Sequence, residues 1–206
     1  LSKSKTYKRA VGYFSSSAIM LWVETLSRLE NLSSLKIKLL CSPELSKCDL
    51  EAIRSGMNLE DKKKTVSKVI EKVFEELLNL NPRENDYDFE GCRMLLSWII
   101  ANNILEIRFA LPAHIDEPGI FHSKIGIFEL LDESKMSFIG SPNESINGGL
   151  KNGEKIRVFR SWIDHEAEDV AEEDRDFDLE WEEKNPELII LKLSDETLKK
   201  IRTFAP

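Results

Sequence analysis

The chain has 206 residues, 41% hydrophobic and 32% charged, with a formal net charge of −8. That length can bury a core without covalent staples, and no run approaches the ~20 consecutive apolar residues that span a bilayer. A single domain over 1–206 with no membrane partner is therefore expected. Net acidity alone would argue against nucleic acid, but the charge is uneven: Asp164 to Glu187 is acid-rich, whereas Lys3 to Arg9 and Lys151 to Arg160 lean basic. Local distribution decides the partner. The three cysteines, Cys41, Cys48 and Cys92, form no CxxC pair, which excludes a disulfide scaffold or zinc finger and points to a reducing cytoplasm with buried thiols. Leu1 to Arg9 is polar and basic, unlike a signal peptide. A first residue other than Met fits a trimmed chain or a piece of a longer protein.

In chain order, KRAVGYF (8–14) alternates and carries β-branched and aromatic residues, as a strand does. Ser15 to Ser17 offer helix-capping chemistry before AIMLWVETLSRL, and LKIKLLC (35–41) reads as a second strand. Leu45 to Ser55 reads as a short helix capped by Ser46. From Glu60 to Leu80, Val66, Val69, Ile70, Val73, Phe74, Leu77 and Leu78 recur at helical spacing, the mark of an amphipathic helix. Pro82 closes it, and Phe89 to Asn102 forms a more apolar helix. The segment 56–103 is a candidate helical insertion.

Four strands follow: 105–111, 119–130, 135–141 and 154–162, with Asp132-Glu133-Ser134 predicting a tight hairpin between the middle two. A charged helix (165–184), a strand (187–193) and a helix capped by Ser194 complete the chain. This order predicts an α/β fold, a mixed β-sheet flanked by helices on both faces.

In the strand GIFHSKIGIFEL, residues i and i+2 share a face. His122, Lys124 and Gly126 would lie together, opposite Phe121, Ser123, Ile125 and Ile127, with Gly126 leaving room beside the two polar side chains. If the next strand completes a hairpin, it delivers the turn GSPNES (140–145), with Ser141 and Asn143, to the same place. An imidazole, an ammonium and an amide suit attack on a phosphodiester: the imidazole attacks phosphorus, and the cation and donors bear the oxygen charge. The same residue types also fit a structural histidine, a solvated lysine and an ordinary turn.

The ordered set His122-Ser123-Lys124, Glu129, Gly140-Ser141-x-Asn143 and Asn152-Gly153-Glu154 resembles the HxKx4D…GSxN…NxE pattern of the phospholipase D superfamily, with Glu129 standing where the family usually has Asp. KRAVGYFSSSA, LLCSPELS, FRSW (159–162) and FDLEW (177–181) are similar to the phospholipase-D-like domain found with DEAD/DEAH-type helicases and restriction enzymes. The resemblance implies a phospholipase D-like fold and a nuclease in restriction or phage defence. Its catalytic residues would be His122, Lys124, Asn143 and Glu154, with Ser141 and Glu129 supporting. Glu154 would hold one imidazole nitrogen and leave the other free.

The superfamily uses two histidines, whereas this chain carries one such motif. The resemblance therefore implies a homodimer with a composite site, needing no cofactor and no metal. Arg157, Arg160 and Lys151 are candidate DNA contacts, with surface ion pairing the competing role for the two arginines. His114 reads as a loop residue, and His165 as part of a solvated acidic helix. Trp22 and Trp98 read as core. A catalytically silent DNA-binding or dimerisation module of a helicase is the alternative, and a phospholipid-directed phosphatidyltransferase a weaker one.

Overall fold

The computed structural model describes residues 1–13, 22–43, 45, 48–49, 51, 58–79, 89–113, 121, 123–140 and 156–206. Within them run β1 (Ser4–Tyr13), β2 (Lys36–Ser42), β3 (Leu105–Pro112), β4 (Ile125–Leu130), β5 (Lys135–Gly140), β6 (Ile156–Arg160) and β7 (Leu188–Lys192). They form one sheet in the order β6-β5-β4-β1-β2-β3-β7. The pairs β1–β2 and β2–β3 are parallel, and the remaining neighbours are antiparallel. The fold is α/β on a mixed sheet. Among the described residues the helices are α1 (Leu59–Asn79), α2 (Phe89–Ala101), α3 (Asp164–Trp181) and α4 (Asp195–Arg202), with residues 22–26, 48–49 and 51 helical as well. The cap expected at Ser15 to Ser17 lies outside the described residues, as does most of the helix expected over 45–55.

Local chemistry accounts for the helices. The Asn58 side chain accepts a hydrogen bond from the Asp61 N–H at 3.0 Å, capping α1 at its start. Val66, Ile70, Phe74, Leu77 and Leu78 then form its buried stripe. On α4, Ser194 accepts from the Thr197 N–H at 3.2 Å. Asp195 and Glu196 occupy its first turn and Lys199, Lys200 and Arg202 its last, each set complementing the helix dipole.

Strand alternation sorts the core into two clusters. Tyr7, Val11, Ile37, Leu39, Ile107 and Phe109 pack with the apolar stripes of α1 and α2 and with Ile201 of α4. Helices α1 and α2, within the segment 56–103 that reads as a candidate insertion, thus share a core with the strands. Trp22 and Trp98 lie partly buried against this cluster. Ala10, Leu40, Ala110, Ile125 and Ile127, from the alternate positions, pack with Phe121 and with Phe177 and Trp181 of α3.

Two strand boundaries differ from expectation. β1 begins at Ser4, because its polar first half finds ladder partners on both sides, Thr6 with Lys36 and with Glu129. β4 begins only at Ile125, with Ser123 and Lys124 just outside it, and His122 lies outside the described residues. Cys41 and Cys92 are buried as expected, but Cys48 is exposed.

A buried charge network ties α3 to the sheet. Lys8 of β1 donates to Asp174 at 2.6 Å and to Asp178 at 2.8 Å. Lys135 of β5 donates to Asp174 at 2.5 Å. Lys8 and Asp174 are 8% and 9% exposed, so each depends on the other for neutralisation. Burial pushes the Asp174 carboxyl up, but hydrogen bonds from Lys135 and Lys8 outweigh it and hold the group below the usual carboxylate range.

Replacing Asp174 by Asn would leave Lys8 buried with part of its counter-charge gone, and removing one partner of a buried pair costs about 3–5 kcal/mol. Urea denaturation of Asp174→Asn is expected to show a loss of that size, and a loss below about 1 kcal/mol would contradict the role given to the pair. Glu180 supplies a pH test. Burial, with the Asp176 and Glu173 charges adding to it, pushes its carboxyl up to about 7. The unfolded value is about 4.3, so the folded state holds the proton more tightly. Stability from this group is complete below about pH 4 and is lost as pH rises through about 7. Glu180→Gln is expected to raise the melting temperature more at pH 8 than at pH 5; an equal shift at both would contradict this.

Candidate functional site

The candidate site gathers where three strands end together. Asp132 accepts from the Ser134 N–H at 3.0 Å and from its hydroxyl at 2.6 Å. Glu133 takes a left-handed φ of 68°, and these features close the turn between β4 and β5 where Asp132-Glu133-Ser134 predicts one. The hairpin pairs Ile125 with Ile139, and the ladder runs on by one bond, from the Gly140 N–H to the Lys124 carbonyl at 3.1 Å. Lys124, partly buried, therefore lies beside the residue that opens GSPN. Gly140 pairs in turn with Ile156 at the start of β6.

His122, Ser141, Asn143, Lys151 and Glu154 lie outside the described residues. Chain connectivity still bounds them: His122 is flanked by Phe121 and Ser123, Ser141 follows Gly140, and Glu154 stands two residues before Ile156.

Glu129 lies elsewhere. At ~3.3 Å per residue it is roughly 16 Å along the chain from Lys124, and its odd-numbered position puts it on the face of Ile125 and Ile127. It forms an ion pair with Lys5 at 3.1 Å. Partial burial works against its charge, but hydrogen bonds from Lys5 and Thr6 and the charges of Lys5 and Lys135 hold its carboxyl below the usual range. Glu129 fastens β4 to β1 rather than joining the Lys124 end. Arg160 donates from Nε and one terminal nitrogen to the two oxygens of Glu166, at 2.8 and 2.7 Å, the surface ion pairing weighed for it. Arg157 is exposed on β6, with its guanidinium 4.9 Å from the Phe159 ring centre. A cleft of about 430 Å³ beside α3 is lined by Lys135, Ser161, Asp174 and Asp178 among others. It sits at the opposite end of β5, and its acids are already engaged by lysines.

The space at Gly126 has an occupant. A Cβ built there would collide with Cε1 and Cζ of Phe138, because the Phe138 ring of β5 lies across the glycine. The room expected beside Lys124 is filled from within the protein. Over Phe138 lies Arg9, its guanidinium 5.0 Å from the ring centre. Arg9 stands directly across from Gly126 in the β1–β4 ladder, is 1% exposed, and donates through Nη1 to the Ile125 carbonyl at 3.0 Å. Sequence reasoning missed this residue. The available signal was an arginine at a strand position that alternates with Tyr7 and Val11.

Chemically, this end offers the lysine of Lys124 beside Gly140, and an ammonium is suited to an anion. No group of His, Cys, Asp and Glu among the described residues could hold a metal ion, and no described helix is long and apolar enough to cross a membrane. No protein-family model matches the chain, and no curated protein matches it significantly.

Gly126→Ala is expected to displace Phe138 and to cost about 1–3 kcal/mol, the usual range for overpacking. Adding Phe138→Leu should recover most of that loss by freeing the space. Thermal melts of the single and double variants check this; no recovery in the double variant would mean that something other than the ring opposes the methyl.

Proposed function

We propose that this chain is a metal-independent phosphodiesterase that hydrolyses DNA through a phosphohistidine intermediate, as its resemblance to phospholipase D superfamily nucleases implies. One observation carries the reading: at one end of β4, β5 and β6 the Gly140 N–H donates to the Lys124 carbonyl and Gly140 stands opposite Ile156. Every residue of the HxK, GSxN and NxE segments is within a few positions of those three. The strand ends next to those three segments in the chain therefore share one end of the sheet.

In this mechanism one imidazole nitrogen of His122, oriented by Glu154 on the other, attacks phosphorus. A phosphorus–nitrogen bond forms as the bond to the leaving oxygen breaks. The same histidine of a second copy donates a proton to that oxygen. It then takes a proton from water, which attacks the phosphohistidine, breaks the phosphorus–nitrogen bond and releases the phosphate ester. Lys124 and Asn143 of both copies, with Ser141, bear the charge on the non-bridging oxygens. Lys151 and Arg157 are the DNA contacts this reading keeps. Arg160 could join them only by leaving Glu166. A homodimer, a reducing cytoplasm and a restriction or phage-defence helicase partner belong to the same proposal.

Plasmid cleavage by the purified protein in EDTA is expected to continue, and His122→Ala should lower the rate by roughly 10³-fold or more, as loss of a nucleophile does. Full activity of His122→Ala would overturn the proposal. DNA binding without cleavage by the unaltered protein would favour the silent binding module instead.

A further inference from the structure

We infer that Arg9 is a positioning residue for the reaction proposed above: from beneath the sheet end, it holds the strand of Lys124 and the strand ending at Gly140 in fixed relation. The inference rests on that functional reading.

A guanidinium with 1% exposure is a costly filler, because it cannot shed its charge and must be satisfied in place. Tyr7 and Val11, its neighbours on the same face of β1, are apolar and buried. A methionine or leucine would serve there if packing were the only demand. What Arg9 adds is contact with both limbs of one hairpin. On β4 it donates to the carbonyl of Ile125 at 3.0 Å, one residue after Lys124. Toward β5 it lies on the ring of Phe138 at 5.0 Å, two residues before Gly140. Gly126, directly across from Arg9, has no Cβ to keep that ring away. The three residues thus form one unit: a glycine that admits the ring, a ring that seats the guanidinium, and a guanidinium that grips the neighbouring peptide.

The functional consequence follows from how steeply catalysis depends on placement. A displacement of about 1 Å at a reacting group can cost ~10²-fold in rate. Arg9 is 1% exposed and acts through the strands it holds, so its loss should appear in kcat rather than in KM. A planar fork can lie on a ring while donating in its own plane, whereas an ammonium is a point charge without that geometry. Lysine therefore keeps the charge but loses the clamp.

The test compares the unaltered chain, His122→Ala, Arg9→Lys and Phe138→Leu on plasmid DNA. Rates are normalised to the folded fraction measured by thermal melts, so that a purely structural effect cancels. The expected result is a fall in kcat of roughly 10- to 100-fold for Arg9→Lys and a smaller fall for Phe138→Leu, with KM within about threefold in both. Wild-type kcat per folded molecule in either variant, while His122→Ala is inactive, would overturn the inference and leave the nuclease reading standing. If Arg9→Lys does not fold, Phe138→Leu decides alone. An inactive unaltered chain, or an active His122→Ala, would remove the functional reading and this inference with it.

Discussion

Two adjacent cations on the central strand set much of this structure. Lys8 and Arg9 sit side by side in β1, so alternation sends them to opposite faces, and both are buried. Neither can remain there without compensation, and each obtains it differently. Lys8 draws Asp174 and Asp178 of α3 down onto the sheet at 2.6 and 2.8 Å, so the acidic helix finds its seat through charge as well as through Phe177 and Trp181. Arg9 has a strand carbonyl and an aromatic ring of the sheet among its contacts. One residue thus docks a helix and the next organises a hairpin.

The two solutions differ in what they permit. A carboxylate pair is mutual and strong in a low dielectric, and it leaves little freedom on either side. The Arg9 arrangement reaches both β4 and β5. It therefore makes the relative placement of those strands part of the cost of burying the charge. Lys124 and Gly140 are the next residues along those strands toward the open end, and they inherit that placement. A hairpin ladder with a buried cation beneath it gives the sheet end a rigid floor.

Much of this was legible along the chain. The buried stripe of α1, the Ser194 cap, the Asp132-Glu133-Ser134 turn and the mixed run of strands follow from local periodicity and local hydrogen bonding. Other features were not legible. β4 starts later than its apolar pattern suggests, because a strand exists only where a partner supplies its bonds. Gly126 reads as open space in the sequence, but Phe138 fills it from the next strand. Arg160 reads equally as a DNA contact or an ion-pair partner until Glu166 is brought to its side. The exposure of Cys48 is likewise a matter of where its segment lies rather than of its residue type.

From sequence alone come the element types, the α/β class and the ordered HxK, GSxN and NxE segments, because each depends on neighbours a few positions away. The tertiary structure alone decided that Lys8 meets Asp174 across 166 positions, that Arg9 reaches Ile125 across 116, and that β6 brings Ile156 to the sheet end of Lys124 and Gly140. These contacts are set by strand register and helix docking. Such long-range pairings depend on the burial of the whole core, which no local window of residues contains.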